Sequence, residues 1–77
     1  MYRVEVAYKT YEGWSQAYTY KSKIPYIKGT AVVVPTGTFY SAAKVLSCKE
    51  SSDFPKNIAI RYVIGSIEEL KNLNKEN

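Results

Sequence analysis

The chain has 77 residues and a net charge of +4, with one cysteine, no histidine, eight tyrosines, two phenylalanines and one tryptophan. That length holds one domain, read as residues 1–77, whose core supplies only about 3–5 kcal/mol of net stability. A lone Cys48 excludes an intrachain disulfide, and one thiol with scattered carboxylates makes no zinc site, so an aromatic-rich core and self-association are the remaining routes to stability.

Tyr2, Val4, Val6 and Tyr8 alternate with Arg3, Glu5, Ala7 and Lys9, which predicts a half-buried strand. Thr10 to Gly13 reads as a turn. Trp14, Gln16, Tyr18 and Tyr20 alternate with Ser15, Ala17, Thr19 and Lys21, predicting a second strand and an antiparallel hairpin. The parity places Trp14 and Tyr18 in the core, while Tyr20 and Tyr26 stand open between core and surface.

Ser22 to Gly29 breaks the alternation, with Pro25 and Gly29 as punctuation. Its Ile24-Pro25-Tyr26-Ile27 is apolar enough to predict a loop folded back onto the core. Thr30 to Val34 is the most strand-like stretch, and Pro35, lacking an amide donor, ends it or marks an edge. Gly37 serves a tight turn. Phe39 to Cys48 reads as the next strand. The adjacent Ala42 and Ala43 suggest close packing or a bulge.

Glu50 to Asp53 is a polar loop closed by Phe54-Pro55. Asn57 to Ile64 reads as a fifth strand with Ile58, Ile60, Tyr62 and Ile64 on one face. Ser66-Ile67-Glu68-Glu69 matches a capping box, and Ile67, Leu70 and Leu73 share a face of a short helix that must dock to persist. Residues 74–77 form a polar end expected to fray. The sum is a mainly β chain, a small five-stranded SH3-like or OB-like barrel with a short C-terminal helix.

The chemistry inventory argues against an enzyme. Without histidine the usual general base is missing, Cys48 has no partner base, and Glu68 and Glu69 diverge on a helix. No phosphate-cradling or dinucleotide-binding glycine pattern appears, and no cofactor is expected. No apolar run approaches a membrane span, no signal peptide is visible, and a lone cysteine fits a cytoplasmic setting.

Binding remains. Residues 1–66 carry the basic excess, a mild footprint for an anionic partner that ordinary solubility also explains. Aromatic and basic residues interleave from Tyr18 to Lys28, the residue mix of single-stranded nucleic-acid sites. The candidate surface is Tyr20, Lys21, Lys23, Tyr26, Lys28, Tyr40 and Arg61. Surplus tyrosine also suits a protein-binding surface, with Tyr11, Tyr26 and Tyr40 the expected exposed rings. An unpaired strand edge could instead accept a partner's strand, unless Pro35 and Lys9 protect it. A homo-oligomeric structural element is a third reading.

The segments Ala17-Tyr18-Thr19-Tyr20, Ile27-Lys28-Gly29-Thr30-Ala31-Val32-Val33-Val34-Pro35-Thr36-Gly37 and Ala42-Ala43-Lys44-Val45 resemble a class of small bacteriophage proteins. Their pattern is a tyrosine-rich strand, a KxGDxVVVPT element and a VAKV strand. Thr30 and Ala31 depart from the Gly-Asp context. A shorter likeness is to the N-terminal DNA-binding module of the primosomal helicase PriA. The resemblance implies a phage or prophage origin, a small barrel and a role in the cytoplasm of the bacterial host, and assigns no site residue. It implies no activity. Small size, absent chemistry and surplus tyrosine favour a phage-type, non-enzymatic accessory protein that binds a host protein and modulates or inhibits it.

Overall fold

The computed structural model describes residues 1–56 and 59–75, the side chains of 73–75 excepted. The chain is mainly β. Its strands are β1 (Tyr2–Ala7), β2 (Lys9–Thr10), β3 (Gly13–Trp14), β4 (Tyr18–Ser22), β5 (Ala31–Thr36), β6 (Phe39–Glu50) and β7 (Gly65–Ser66), followed by helix α1 (Ile67–Lys75). One five-stranded sheet runs in the order β4-β1-β6-β5-β7, and β2 and β3 form a separate two-stranded ribbon. The five strands are not closed on themselves by a continuous ladder, so the sheet is open. No helix among the described residues is long and apolar enough to cross a membrane.

The alternation in β1 does what its pattern requires. Val4 and Val6 are fully buried, with Val32, Val34, Val45, Ala43 and Tyr20 around them, and Tyr2, Tyr8, Tyr26, Cys48 and Val63 pack against this cluster. Arg3 and Glu5 face the other way. The central strand β6 pairs with β1 on one side and β5 on the other. Its register against β1 shifts after Glu5↔Ser47, so that Val6 meets Val45 and Leu46 is left as the extra residue of a bulge. The bulge lies at Leu46 rather than at the small pair Ala42-Ala43. It keeps both Val45 and Cys48 on the core side, although their spacing of three is wrong for an unbroken strand.

The β5–β6 turn follows the expectation. Thr36 pairs with Phe39 around Gly37-Thr38, and Gly37 sits at φ 59°, the glycine-first arrangement of a tight hairpin turn. Pro35 does not end the strand. It lies inside β5 opposite Tyr40, beyond the point where β7 pairs with Val32 and Val33, so its missing amide costs no bond to β7. The capping box forms: the Glu69 amide donates to Ser66 Oγ at 3.0 Å, and the Ser66 amide donates to Glu69 Oε1 at 3.3 Å. The helix continues to Lys75, past the expected start of the polar end, and residues 76–77 lie outside the described residues.

Four expectations are corrected. The strand predicted from Trp14 is broken, because Ser15 uses its side chain: Tyr8 donates its amide to Ser15 Oγ at 2.9 Å, a bond that replaces a ladder carbonyl. The pairing slips by one residue between Lys9↔Trp14 and Val6↔Tyr18, and residues 15–17 belong to no strand. Trp14 therefore leaves the core, at 54% exposed, and Tyr18 is 41% exposed at the start of β4.

The strand predicted over Asn57–Ile64 is not present as such. Residues 57–58 lie outside the described residues, and the stretch that follows divides its bonds between two strands. The Lys21 amide donates to the Arg61 carbonyl and the Val63 amide to the Lys21 carbonyl, both at 3.0 Å, around a single parallel bridge from Tyr62 to Lys21. The Ile64 amide then donates to Val33 of β5 at 2.9 Å, and β7 follows. A segment that changes partner within three residues makes a single bridge to β4 before the short β5–β7 ladder begins.

The loop before β5 folds back as expected at its end, where the Gly29 amide donates to the Val45 carbonyl at 2.8 Å. Within it only Tyr26 packs against the core. Ile24 and Ile27 are exposed, because Ser22 bridges the Ile24 amide and carbonyl and turns the chain outward.

Candidate functional site

The seven candidate surface residues do not form one surface. Tyr20 is in the core at 7% exposed. Its hydroxyl donates to the Pro35 carbonyl at 2.7 Å and receives the Tyr8 hydroxyl. Burial, and then this bond to Tyr20, push the Tyr8 phenol well above its usual range. Tyr26 is half-buried, its amide donating to Cys48 Sγ at 3.4 Å. Its phenol is also raised, first by burial and then by the charge of Glu69. Tyr20 is structural, a correction to its place on the candidate surface, while Tyr26 packs against the core and keeps part of its surface exposed. Lys23 and Lys28 are exposed on the loop before β5. Tyr40 is exposed near the β5–β6 turn, and Arg61 reaches that turn by donating to the Gly37 carbonyl at 2.8 Å.

Lys21 is placed with purpose. Its neighbours Tyr20 and Ser22 point inward, so Lys21 stands on the outer face of the sheet. Its ammonium lies 5.1 Å from the Tyr62 ring centre and 5.8 Å from that of Phe54. The parallel bridge at Tyr62 holds the ring there.

A more complete constellation was missed from the sequence. Trp14 sits with Lys9 Nζ and Lys44 Nζ each 5.4 Å from its ring centre. The three residues line a shallow, largely apolar groove with Ala31, Ala42 and Ala43, about 190 Å³ in volume. The alanines explain the groove: Ala31 lies opposite Lys44 across the β5–β6 ladder, and only small side chains there leave room beside the indole. No carboxylate among the described residues lines it. A volume below the ~300 Å³ of a typical small-molecule pocket suits one flat ring laid on the indole and does not enclose a larger molecule. The adjacent alanines were the available signal, since small residues beside a displaced large one are complementary. The parity argument hid it, because it counted Trp14 as core.

No protein-family model matches the chain, and no curated protein or solved structure matches it.

Proposed function

We propose that the chain is a non-enzymatic binding module for single-stranded nucleic acid, with Trp14 as the stacking platform. The observation that carries this reading is the half-exposed indole with two lysine ammonium groups over its ring, in a groove that no carboxylate among the described residues lines. A nucleobase offers a flat ring to the indole, and the phosphates on either side of it meet Lys9 and Lys44. The net charge of +4 acts in the same direction at longer range. A small barrel, SH3-like or OB-like, is the architecture proposed for this module. It is supported by the residue 61–64 segment, which bonds to β4 at Lys21 and to β5 at Val33.

Trp14 is the one tryptophan in the chain, so its fluorescence reports on the site directly. Titration with a thymidine dodecamer at low salt is expected to quench that emission, and affinity should fall steeply as salt rises. By anisotropy of a labelled dodecamer, Trp14→Ala should weaken binding roughly 5- to 150-fold, the loss of one stacked base at about 1–3 kcal/mol. Absence of binding by the parent chain at low salt would refute the reading.

A second reading is the phage-type accessory protein that binds and modulates a host protein in the bacterial cytoplasm. It is favoured by the apolar hairpin end where Phe39, 75% exposed, adjoins exposed Tyr40. Binding to a host protein that Phe39→Ser abolishes and Trp14→Ala spares would select it. A homo-oligomer would show as a concentration-dependent mass in light scattering.

A further inference from the structure

The outer face of the sheet carries a second cationic site. Arg3 on β1 stands directly opposite Lys21 on β4 and directly opposite Lys49 on β6. Three cations thus lie in one row across three adjacent strands. Like charges placed directly opposite destabilise a sheet. One carboxylate offsets the row: Arg3 Nε donates to Glu5 at 2.8 Å. Glu5 is further occupied by the Thr19 hydroxyl at 2.8 and 3.0 Å. Lys21 and Lys49 make no salt bridge among the described residues. Arg3, Glu5, Ser47, Lys49, Glu50 and Ser51 line one shallow depression, so two carboxylates share it with two cations, and the Tyr62 ring stands beside Lys21 at the β4 edge.

This row and the Trp14 groove are on the same side of the sheet. Ala7 shares the parity of Arg3 on β1, and Ala7 is paired with Lys44, whose ammonium lies over Trp14. Four residue steps along β1 lead from Arg3 to Ala7, about 14 Å at the strand rise. That span equals about four stacked nucleotide steps at 3.4 Å each. Between the two clusters stand Glu5, its carboxylate held by Arg3 and the Thr19 hydroxyl, and Leu46, which the bulge leaves exposed, while Ala7 itself is buried.

We infer that a single nucleic-acid strand runs along β1 on the outer face, stacked on Trp14 at one end and held by Lys21 and Lys49 through its phosphates at the other. The inference rests on the proposed function and adds the path, the phosphate site and the minimum length. Lys23 and Lys28, on the loop before β5, lie off this path.

The test is the salt dependence of thymidine-oligomer binding, read by Trp14 quenching. Each phosphate contact removed lowers the slope of log affinity against log salt by about 0.7. Lys49→Gln, at an exposed position, should lower it by about 0.7, and Lys21→Gln/Lys49→Gln by about 1.4. Lys23→Gln/Lys28→Gln should leave it unchanged. Affinity should climb with oligomer length to about four or five nucleotides before levelling. A parent chain that quenches normally, with a slope unaltered by Lys49→Gln and by the Lys21/Lys49 pair, would overturn the path and leave the Trp14 site standing. A slope lowered by the Lys23/Lys28 pair instead would place the strand elsewhere and overturn it too. No quenching by any oligomer would remove the underlying reading along with it.

Discussion

The hydroxyl of Tyr20 donates to the carbonyl of Pro35 at 2.7 Å, although β4 and β5 are separated by two strands in the sheet order. In a flat sheet three strand spacings would set them about 14 Å apart, beyond the reach of one tyrosine side chain. The bond is therefore a measure of how far the sheet curls around its valine core. It also satisfies a buried carbonyl next to a residue that cannot donate an amide.

Tyr20→Phe should lower stability by about 1–3 kcal/mol, because it strands the Pro35 carbonyl and removes the acceptor of the Tyr8 hydroxyl. Urea unfolding followed by far-ultraviolet circular dichroism measures it. An unchanged midpoint would mean that the bond does not hold the curl.

Alkaline pH should unfold the domain. The Tyr8 phenol is raised in the folded state above its ordinary value of 10.0, chiefly by burial. Below that value both states are protonated and stability is unaffected. As pH climbs past about 10, the unfolded chain releases this proton while the folded chain retains it, so stability falls. A pH titration monitored by circular dichroism should show the loss beginning near pH 10. Tyr8→Phe should make the decline less steep.

The capping box predicts a local effect on α1. Ser66→Ala removes the acceptor of the Glu69 amide and should cost about 1 kcal/mol. Ser66→Asp should restore most of it, since Asp accepts the same bond and suits the helix dipole. Denaturation midpoints of the two variants make the comparison.

Two apolar residues near the same hairpin should differ sharply. Val34 is fully buried, and Val34→Ala removes two methyl equivalents at about 0.8 kcal/mol each plus a cavity, so a loss of about 2–3 kcal/mol is expected. That is most of what so small a core supplies. Phe39→Ser, at an exposed ring, should fall within about 0.5 kcal/mol of the parent. Thermal melts of both decide it.

The residues of β1, the valine strand β5, the glycine turn at Gly37 and the capping box at Ser66 were legible in the sequence. Each depends on near neighbours: alternation, a turn position, or a cap three residues from its partner. Trp14, Tyr20 and the 61–64 segment were not. Whether Trp14 lies inside or outside depends on one serine hydroxyl at residue 15 that replaces a ladder bond and slips the register. Whether Tyr20 is surface or core depends on a carbonyl fifteen residues away that only the curl of the sheet brings close. Tyr62 holds its place by pairing with Lys21, forty-one residues earlier, in a single bridge that no periodicity announces. The sequence by itself determined a mainly β domain with a basic balance and no histidine; the aromatic-rich core it suggested is instead a valine core in which Tyr20 is the one buried aromatic among the described residues. The tertiary structure decided which aromatics are free to bind, because exposure is set by register and curvature, and both are properties of strands that meet far apart in the chain.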